Sequence, residues 1–375
     1  MEDVYKMAFA RVSGMSVRFA RQMLECIPDE RTFFELSEKD LSEACGTTHR
    51  ILGSDYRKKL LQKAFKELDF LHGKRIQPIY MDEAEYPKRL LDVDDTGEIS
   101  DAPILLYKTG ECDLNAQHVI SIVGTRNATD YGKRITQKLV SDLKDILPNT
   151  IIVSGLAYGI DVAAHRASIE CGLPTVGVLA HGLNTIYPAT HRSIAKTMAT
   201  TNGGALITEY TSQDAIFKYN FLARNRIVAG MSDCTIVVES ASHGGALVTA
   251  RIANSYGRDV FAVPGRIGDR FSEGCNKIIN NQVAVMVTSA EDLVKSMNWE
   301  QDSMIAKPVQ KTLFPVYSKE EQPIIDLLTE NGELHSNDIA KALKVPIHKL
   351  LSLLTDMEYD NHIHILPNGK YVVSL

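Results

Sequence analysis

The spacing of apolar residues changes character twice along the chain. In residues 1–71 apolar positions recur at helical intervals in AFARV, SVRFARQMLECI, RTFFELSEKDLSEAC and DYRKKLLQKAFKELDFLHGK, which predicts short helices followed by a longer one. Residues 77–115 are turn-rich: Tyr86-Pro87 and Pro103 mark extended pieces, and Asp92 to Asp101 form an acidic loop. This stretch reads as a connector leaning on the next domain. At His118 the pattern switches to continuous runs of β-branched residues. VISIV, then 150–154, 175–179, 205–208, 234–239, 260–263 and 283–287 read as strands, and helical patterns fall between most of them. The first of these helices, YGKRITQKLVSDLKDIL, is capped by Thr129 or Asp130. Buried strands alternating with helices predict a doubly wound, mainly parallel α/β sheet over about Val119 to Thr288, with ligands at the carboxyl ends of its strands.

A polar, proline-containing linker with Pro308 and Pro315 leads to a third pattern. Residues 322–331, 336–342 and 346–357 read as helices. Two short strands flank Pro367-Asn368-Gly369, a tight-turn signal. Three helices and a hairpin predict a winged helix. Its third helix, IHKLLSLLTDMEYD, offers little basic surface beyond His348 and Lys349, which favours protein contact or packing over duplex reading. The expected domains are therefore 1–75 helical (SAM- or helix-hairpin-helix-like), 76–298 a Rossmann-like core with its lead-in at 76–117, 299–321 a linker, and 322–375 the winged helix. In the first domain, Val12-Ser13-Gly14-Met15-Ser16 before a helix fits either half of a helix-hairpin-helix offering amides to a phosphate or a packing bundle.

Length and composition add limits. With 375 residues, 44% hydrophobic and 23% charged, the chain can bury full cores in two or three domains. No long apolar run predicts a membrane span, and the six scattered cysteines, without CxxC or histidine at ligand spacing, read as reduced, non-metal, cytoplasmic cysteines. The net charge of −6 is unevenly spread: residues 119–288 hold 16 Lys and Arg against 12 Asp and Glu. A local positive excess is what a phosphate binder needs.

The strand ends of the central domain carry the chemistry. Gly124-Thr125-Arg126 combines a close backbone approach with a guanidinium able to fork onto phosphate, or else onto a surface carboxylate. Ser154-Gly155-Leu156-Ala157-Tyr158-Gly159-Ile160-Asp161 forms either an anion-binding nest or a tight capped turn, with Tyr158 placed to stack on a base. Lys218, Tyr219, Phe221, Arg224, Asn225 and Arg226 interleave cations with aromatics at a helix start, which suits a single strand; one of the two arginines is also suited to a buried ion pair. Glu239 to Thr249 repeats the device, with Gly244 and Gly245 ahead of a helix. Val263-Pro264-Gly265-Arg266 and Ser272-Glu273-Gly274-Cys275-Asn276 follow.

In order and spacing, GTRNATDYG, SGLAYGIDVAAH, ARNRIVAG, ESASHGGALVTARIA, GRDVFAVPG and SEGCNKII resemble the bacterial DNA-processing (DprA/Smf) family over nearly the whole chain. The resemblance implies a non-enzymatic protein without cofactor. Such a protein binds single-stranded DNA, protects incoming strands and loads the RecA recombinase onto them in natural transformation, and forms homodimers. It implies that Arg126 is the principal strand-binding arginine. Tyr158 stands where some relatives carry lysine, Leu222 where proline is usual, and Gly244 and Ala246 where serines are common. The stretch from Asn276 through Asn280 to Val285 corresponds to a surface for self-association and RecA contact. The expected DNA-binding set is Gly124, Thr125, Arg126, Ser154, Gly155, Tyr158, Gly159, Lys218, Phe221, Arg224, Asn225, Arg226, Gly244, Gly245 and Thr249.

Three enzymatic readings compete. A nucleotide-binding or N-glycosidic hydrolase would use Glu239 beside His243-Gly244-Gly245, but the loop lacks the flanking proline and Gly-Thr of such sites. A dehydrogenase would need GxGxxG and a ribose-reading acid, and neither is present. A metal-dependent nuclease would need a carboxylate cluster, which Asp161, His165 and His191 do not make.

Overall fold

The computed structural model describes residues 2–46, 48–91, 101–201, 203–300, 317–318, 320–359, 362–366 and 369–373. The acidic loop after Asp92, most of the expected linker and the first two residues of the Pro367-Asn-Gly turn lie outside the described residues. The chain divides into two compact units, Met1–Met304 and Ile305–Leu375.

The first unit is organised by nine strands: β1 (Gln77–Tyr80), β2 (Leu105–Gly110), β3 (Val119–Val123), β4 (Ile151–Ser154), β5 (Thr175–Val178), β6 (Ala205–Thr208), β7 (Cys234–Val237), β8 (Asp259–Ala262) and β9 (Val285–Met286). Their order in the sheet is β1-β2-β6-β5-β4-β3-β7-β8-β9. From β6 to β9 every pairing is parallel, and the chain builds outward from β3 first one way, then the other. This is the doubly wound order expected from the alternation. Its reversal point lies between β3 and β7, where Val123 stands opposite Val237 and the two strand exits are neighbours. Strands β3 to β7 are buried along their length, which is why they read as unbroken apolar runs.

The lead-in departs from a simple connector. β1 pairs antiparallel with β2, and β2 pairs antiparallel with β6, so these residues extend the sheet at one edge. Neither strand is flagged by a long β-branched run; partner strands far along the chain supply the missing stabilisation.

The N-terminal helices are Glu2–Phe9, Val17–Cys26, Glu30–Glu35, Glu38–Cys45 and Ser54–Leu71. Side chains of Ser16, Asp29 and Ser37 cap the second, third and fourth. Phe9, Phe33, Leu41 and Leu52 are buried in a cluster continuous with Ile79 and Leu106 of the sheet, so no gap in the core marks residue 75. Arg57 is buried among them, its guanidinium donating to the carbonyls of Leu52, Phe33 and Leu36. In the Val12–Ser16 turn, Ser13 N–H donates to the Tyr56 hydroxyl, Met15 N–H to Val12, and the Ser16 hydroxyl takes the Phe19 amide. The packing reading of this turn therefore fits better than the phosphate reading.

The second unit holds helices Gln322–Asn331, Ser336–Leu343 and Ile347–Tyr359 and an antiparallel sheet of β10 (Leu334–His335), β11 (Ile363–Ile365) and β12 (Lys370–Val373), ordered β10-β12-β11. Its separate core is built on Ile324, Leu328, Ile339, Leu350, Leu354, Met357 and Ile363.

Candidate nucleic-acid interface

At the reversal point the loops after β3, β4 and β7 nest on one another. Thr125 N–H donates to the Glu239 carbonyl at 2.7 Å, and the Thr125 carbonyl accepts from Ile160 N–H at 3.2 Å. Gly159, at φ +79°, lets the second loop lie on the first: a Cβ there would sit 2.1 Å from the Thr125 carbonyl oxygen. A side chain at Gly155 would meet the Arg224 guanidinium at 2.1 Å. Close approach to protein backbone and side chains, rather than to a ligand, thus accounts for these two glycines.

Between the loops lies an open cleft of ≈ 250 Å³, lined by Gly124, Thr125, Arg126, Gly155, Phe221, Arg224, Asn225, Gly244, Gly245 and Thr249, among others. Arg126 is solvent-exposed, and its guanidinium carbon lies 5.5 Å from the centre of the Phe221 ring. Two of the helices that begin at this end of the sheet, Ile160–Cys171 and Gly245–Ser255, have no side-chain cap. The start of the second, at Gly244 and Gly245, lines the cleft, with open space around Gly245. Uncapped amides and the helix dipole favour an anion there.

Several expected contacts are not available. The Ser154 hydroxyl is buried and donates to the Ile122 carbonyl at 2.6 Å, so it braces the sheet. The Asp161 carboxylate accepts from the amides of Gly155 and Ala157, at 3.2 and 3.4 Å. The loop is therefore the capped turn, not an open nest. Arg224 is 3% exposed and donates to the Val178 carbonyl. It underlies the cleft rather than reaching out of it. Burial opposes both charges of the Asp161–Arg224 pair, raising the carboxyl and lowering the guanidinium to about 10, while their attraction works the other way. Arg226 forks onto Glu209 with hydrogen bonds of 2.6 and 2.7 Å and also donates to the Asp101 carbonyl. This is an ion pair, partly shielded from water, and it settles which of the two arginines is drawn into one. Thr249 is also buried, on the cleft floor.

Tyr158 and Lys218 are exposed but lie outside the cleft lining. Tyr158 packs edge-on against His191. Around them the structure adds two rings that the sequence pattern does not single out to the two that it does: Tyr187 against Phe221, and Phe217 stacked at 9° on Tyr219. Phe217 and Tyr219 are 50% and 65% exposed, unusual for adjacent rings without a partner surface. Ile216-Phe217 beside Lys218, in neither strand nor helix periodicity, was the available signal. Glu67 holds this loop by accepting from Ser212 N–H, and Arg11 pairs with Asp214.

Glu239, the acid of the hydrolase reading, is 4% exposed, and both carboxylate oxygens accept from Thr129, one from its amide at 2.9 Å and one from its hydroxyl. It anchors the helix Asp130–Ile146 and has no free geometry for proton transfer. On the expected association surface, Asn276 is committed to Gly265, accepting from its amide at 3.1 Å and donating to its carbonyl at 3.0 Å. This corrects its assignment as a free contact residue. Asn280 and Val285 are exposed, and Val285 lies on the edge strand β9.

The fold is a Rossmann-like α/β domain with a candidate binding cleft at the sheet's reversal point. The chain belongs to the DNA recombination-mediator protein A family, whose model matches residues 77–298. It is 33% identical over 286 residues to protein Smf of Escherichia coli, covering 76% of this chain and 74% of that one. The crystal structure of DNA processing protein A from Streptococcus pneumoniae superimposes with a TM-score of 0.63 at 29% identity, over 78% of this chain and 96% of that one. DNA processing protein A from Helicobacter pylori, described for its unique single-stranded DNA binding mode, gives 0.51 at 25% identity, over 60% of this chain and 97% of that one. No helix among the described residues is long and apolar enough to cross a membrane.

Proposed function

We propose that this chain binds single-stranded DNA across the cleft between the β3 and β7 loops, protects it, and delivers it to the RecA recombinase during natural transformation. The observation that carries the reading is the exposed Arg126 lying against Phe221 at the mouth of the cleft, beside the uncapped helix start at Gly244 and Gly245. A guanidinium and helix amides meet phosphates, while Phe221, Tyr187 and the Phe217–Tyr219 stack offer faces for unpaired bases. The description of the Helicobacter pylori relative supports this use of the site. Phe221, Gly124, Thr125, Asn225, Gly244 and Gly245 complete the contact set; Lys218 and Tyr158 extend it at the rim.

The protein acts as a homodimer in this reading, through the exposed Asn280 and Val285 face, where RecA also docks. The C-terminal unit, with three helices and a small antiparallel sheet, serves as a winged helix for protein contact. The test is titration of a fluorescent oligo-dT strand. Tight binding preferred over duplex, and falling steeply with salt, is expected. Equal affinity for duplex would overturn the reading. Assembly of RecA filaments on the bound strand, with and without this protein, tests delivery.

A further inference from the structure

A larger cavity, ≈ 830 Å³, lies beside the strand cleft. Glu239 lines this cavity and Ala241 lines the cleft, so the chain leaving β7 separates the two. Three arginines come to the cavity from two parts of the chain: Arg134 from the first turns of helix Asp130–Ile146, and Arg266 and Arg270 from the connection between β8 and helix Glu273–Asn280. All three are exposed, and none has an ion-pair partner among the described residues. The carboxylates on the lining are Glu239, held by Thr129, and Asp269.

Hydrogen bonds tie the walls to one another. Asn276 clamps Gly265 on both its amide and carbonyl. Ser240 N–H donates to the Phe271 carbonyl at 2.7 Å, and Gly274 N–H donates to Ser240 at 2.9 Å, stitching the Arg270 loop to the β7 exit. The Tyr131 hydroxyl donates to the Pro264 carbonyl at 3.3 Å. Tyr131 is 43% exposed and Phe271 also lines the cavity, so ring faces stand beside the guanidinium groups.

We propose that this cavity is a second nucleotide-phosphate site, in which the Arg134, Arg266 and Arg270 guanidinium groups hold the phosphate and Tyr131 or Phe271 takes the base. Planar forks matched to phosphate oxygens, rings for a base and room for a whole nucleotide select this class over inorganic anions alone. Two sources supply such a group: the continuation of a strand already in the Arg126 cleft, or a free nucleotide. The first source rests on the strand-binding reading; the second does not.

The intact chain is compared with Arg134→Ser/Arg266→Ser/Arg270→Ser and with a charge-matched control, Lys58→Ser/Lys59→Ser/Lys66→Ser, on the exposed face of helix Ser54–Leu71. Oligo-dT strands of increasing length and thymidine monophosphate are the probes, with inorganic phosphate alongside. If the strand continues into the cavity, long strands bind the arginine variant about fivefold or more weaker. Their salt slope then falls by about 0.7 for each lost phosphate contact, with short strands unaffected. If free nucleotide is the ligand, thymidine monophosphate binds the parent and the Arg126→Ala variant but not the arginine variant, and more tightly than phosphate does. The proposal is overturned if the arginine variant matches the parent with every probe, or if the lysine control shows the same losses. Loss of short and long strands alike also overturns it. An Arg126→Ala variant with undiminished short-strand affinity would instead count against the cleft assignment alone.

Discussion

Arg126 lies over the ring of Phe221, its guanidinium carbon 5.5 Å from the ring centre. Arg126 comes from the loop after β3 and Phe221, nearly a hundred positions on, from the helix that begins at Lys218; they meet only because the β3 exit faces that helix. The ring holds the exposed cation in a defined direction while leaving its N–H groups free to bond phosphate. Arg126→Ala should weaken oligo-dT binding at least tenfold and lower the salt slope by about 0.7, the value of one single-strand phosphate contact. Phe221→Ala should weaken binding with little change in slope, because a ring contributes stacking rather than charge. Fluorescence anisotropy across a salt series separates the two; an unchanged affinity in Arg126→Ala would remove this residue from the site.

Arg226 behaves differently although it lies in the same basic stretch. Its bidentate pair with Glu209 is largely shielded from water, with side chains 17% and 19% exposed. Arg226→Ala should cost roughly 1–3 kcal/mol in denaturant unfolding, since it leaves a largely shielded carboxylate without its partner. The folded fraction should keep its DNA salt slope. Replacing both partners with apolar residues should recover much of the loss. Normal stability combined with lost DNA binding would reassign Arg226 to the interface.

Gly159→Ala tests the nesting of the loops. At φ +79° and with the Thr125 carbonyl 2.1 Å from the added carbon, alanine cannot be placed without moving the Gly124-Thr125-Arg126 loop. Stability should drop by about 1–3 kcal/mol, and strand affinity should fall with it although no ligand-contacting side chain has changed. A variant as stable and as tight-binding as the parent would contradict this nesting.

His165 predicts a pH dependence. It is fully buried, and the Thr175 hydroxyl bonded to its Nδ1 at 2.7 Å also donates to the Ile152 carbonyl at 2.8 Å. With the hydroxyl proton so used, Nδ1–H is the donor. Burial, then the nearby Arg224 and His191 charges, push its pKa down to about 3 from an ordinary 6.5. The unfolded chain therefore takes up a proton below pH 6.5 that the native state refuses. This contribution to stability is full above that pH and falls by up to about 1.4 kcal/mol per unit as pH drops toward 3. Chemical unfolding at pH 7, 6 and 5 should show the decline, and His165→Asn should flatten it. Equal slopes in both proteins would show that His165 does not refuse the proton.

Much of this molecule was legible along the chain because its causes are local. Unbroken β-branched runs such as VISIV mark strands covered on both faces, and Thr129 caps its helix by a bond to Gly132 three residues on. Separate helical, α/β and C-terminal patterns, and the ordered loop motifs of the family, depend on short windows of residues. Pairing across the chain is what the tertiary structure decided. Nothing in Leu105–Gly110 announces a strand that adds to β6, and nothing in ARNR says which arginine finds Glu209 and which lies beneath Gly155. Charge and aromaticity are properties of a residue, but exposure and partnership belong to the fold. Hence Arg126 remained at the surface, Arg224 and Arg226 were drawn inward, and Arg134 met Arg266 and Arg270 from far along the chain around one cavity.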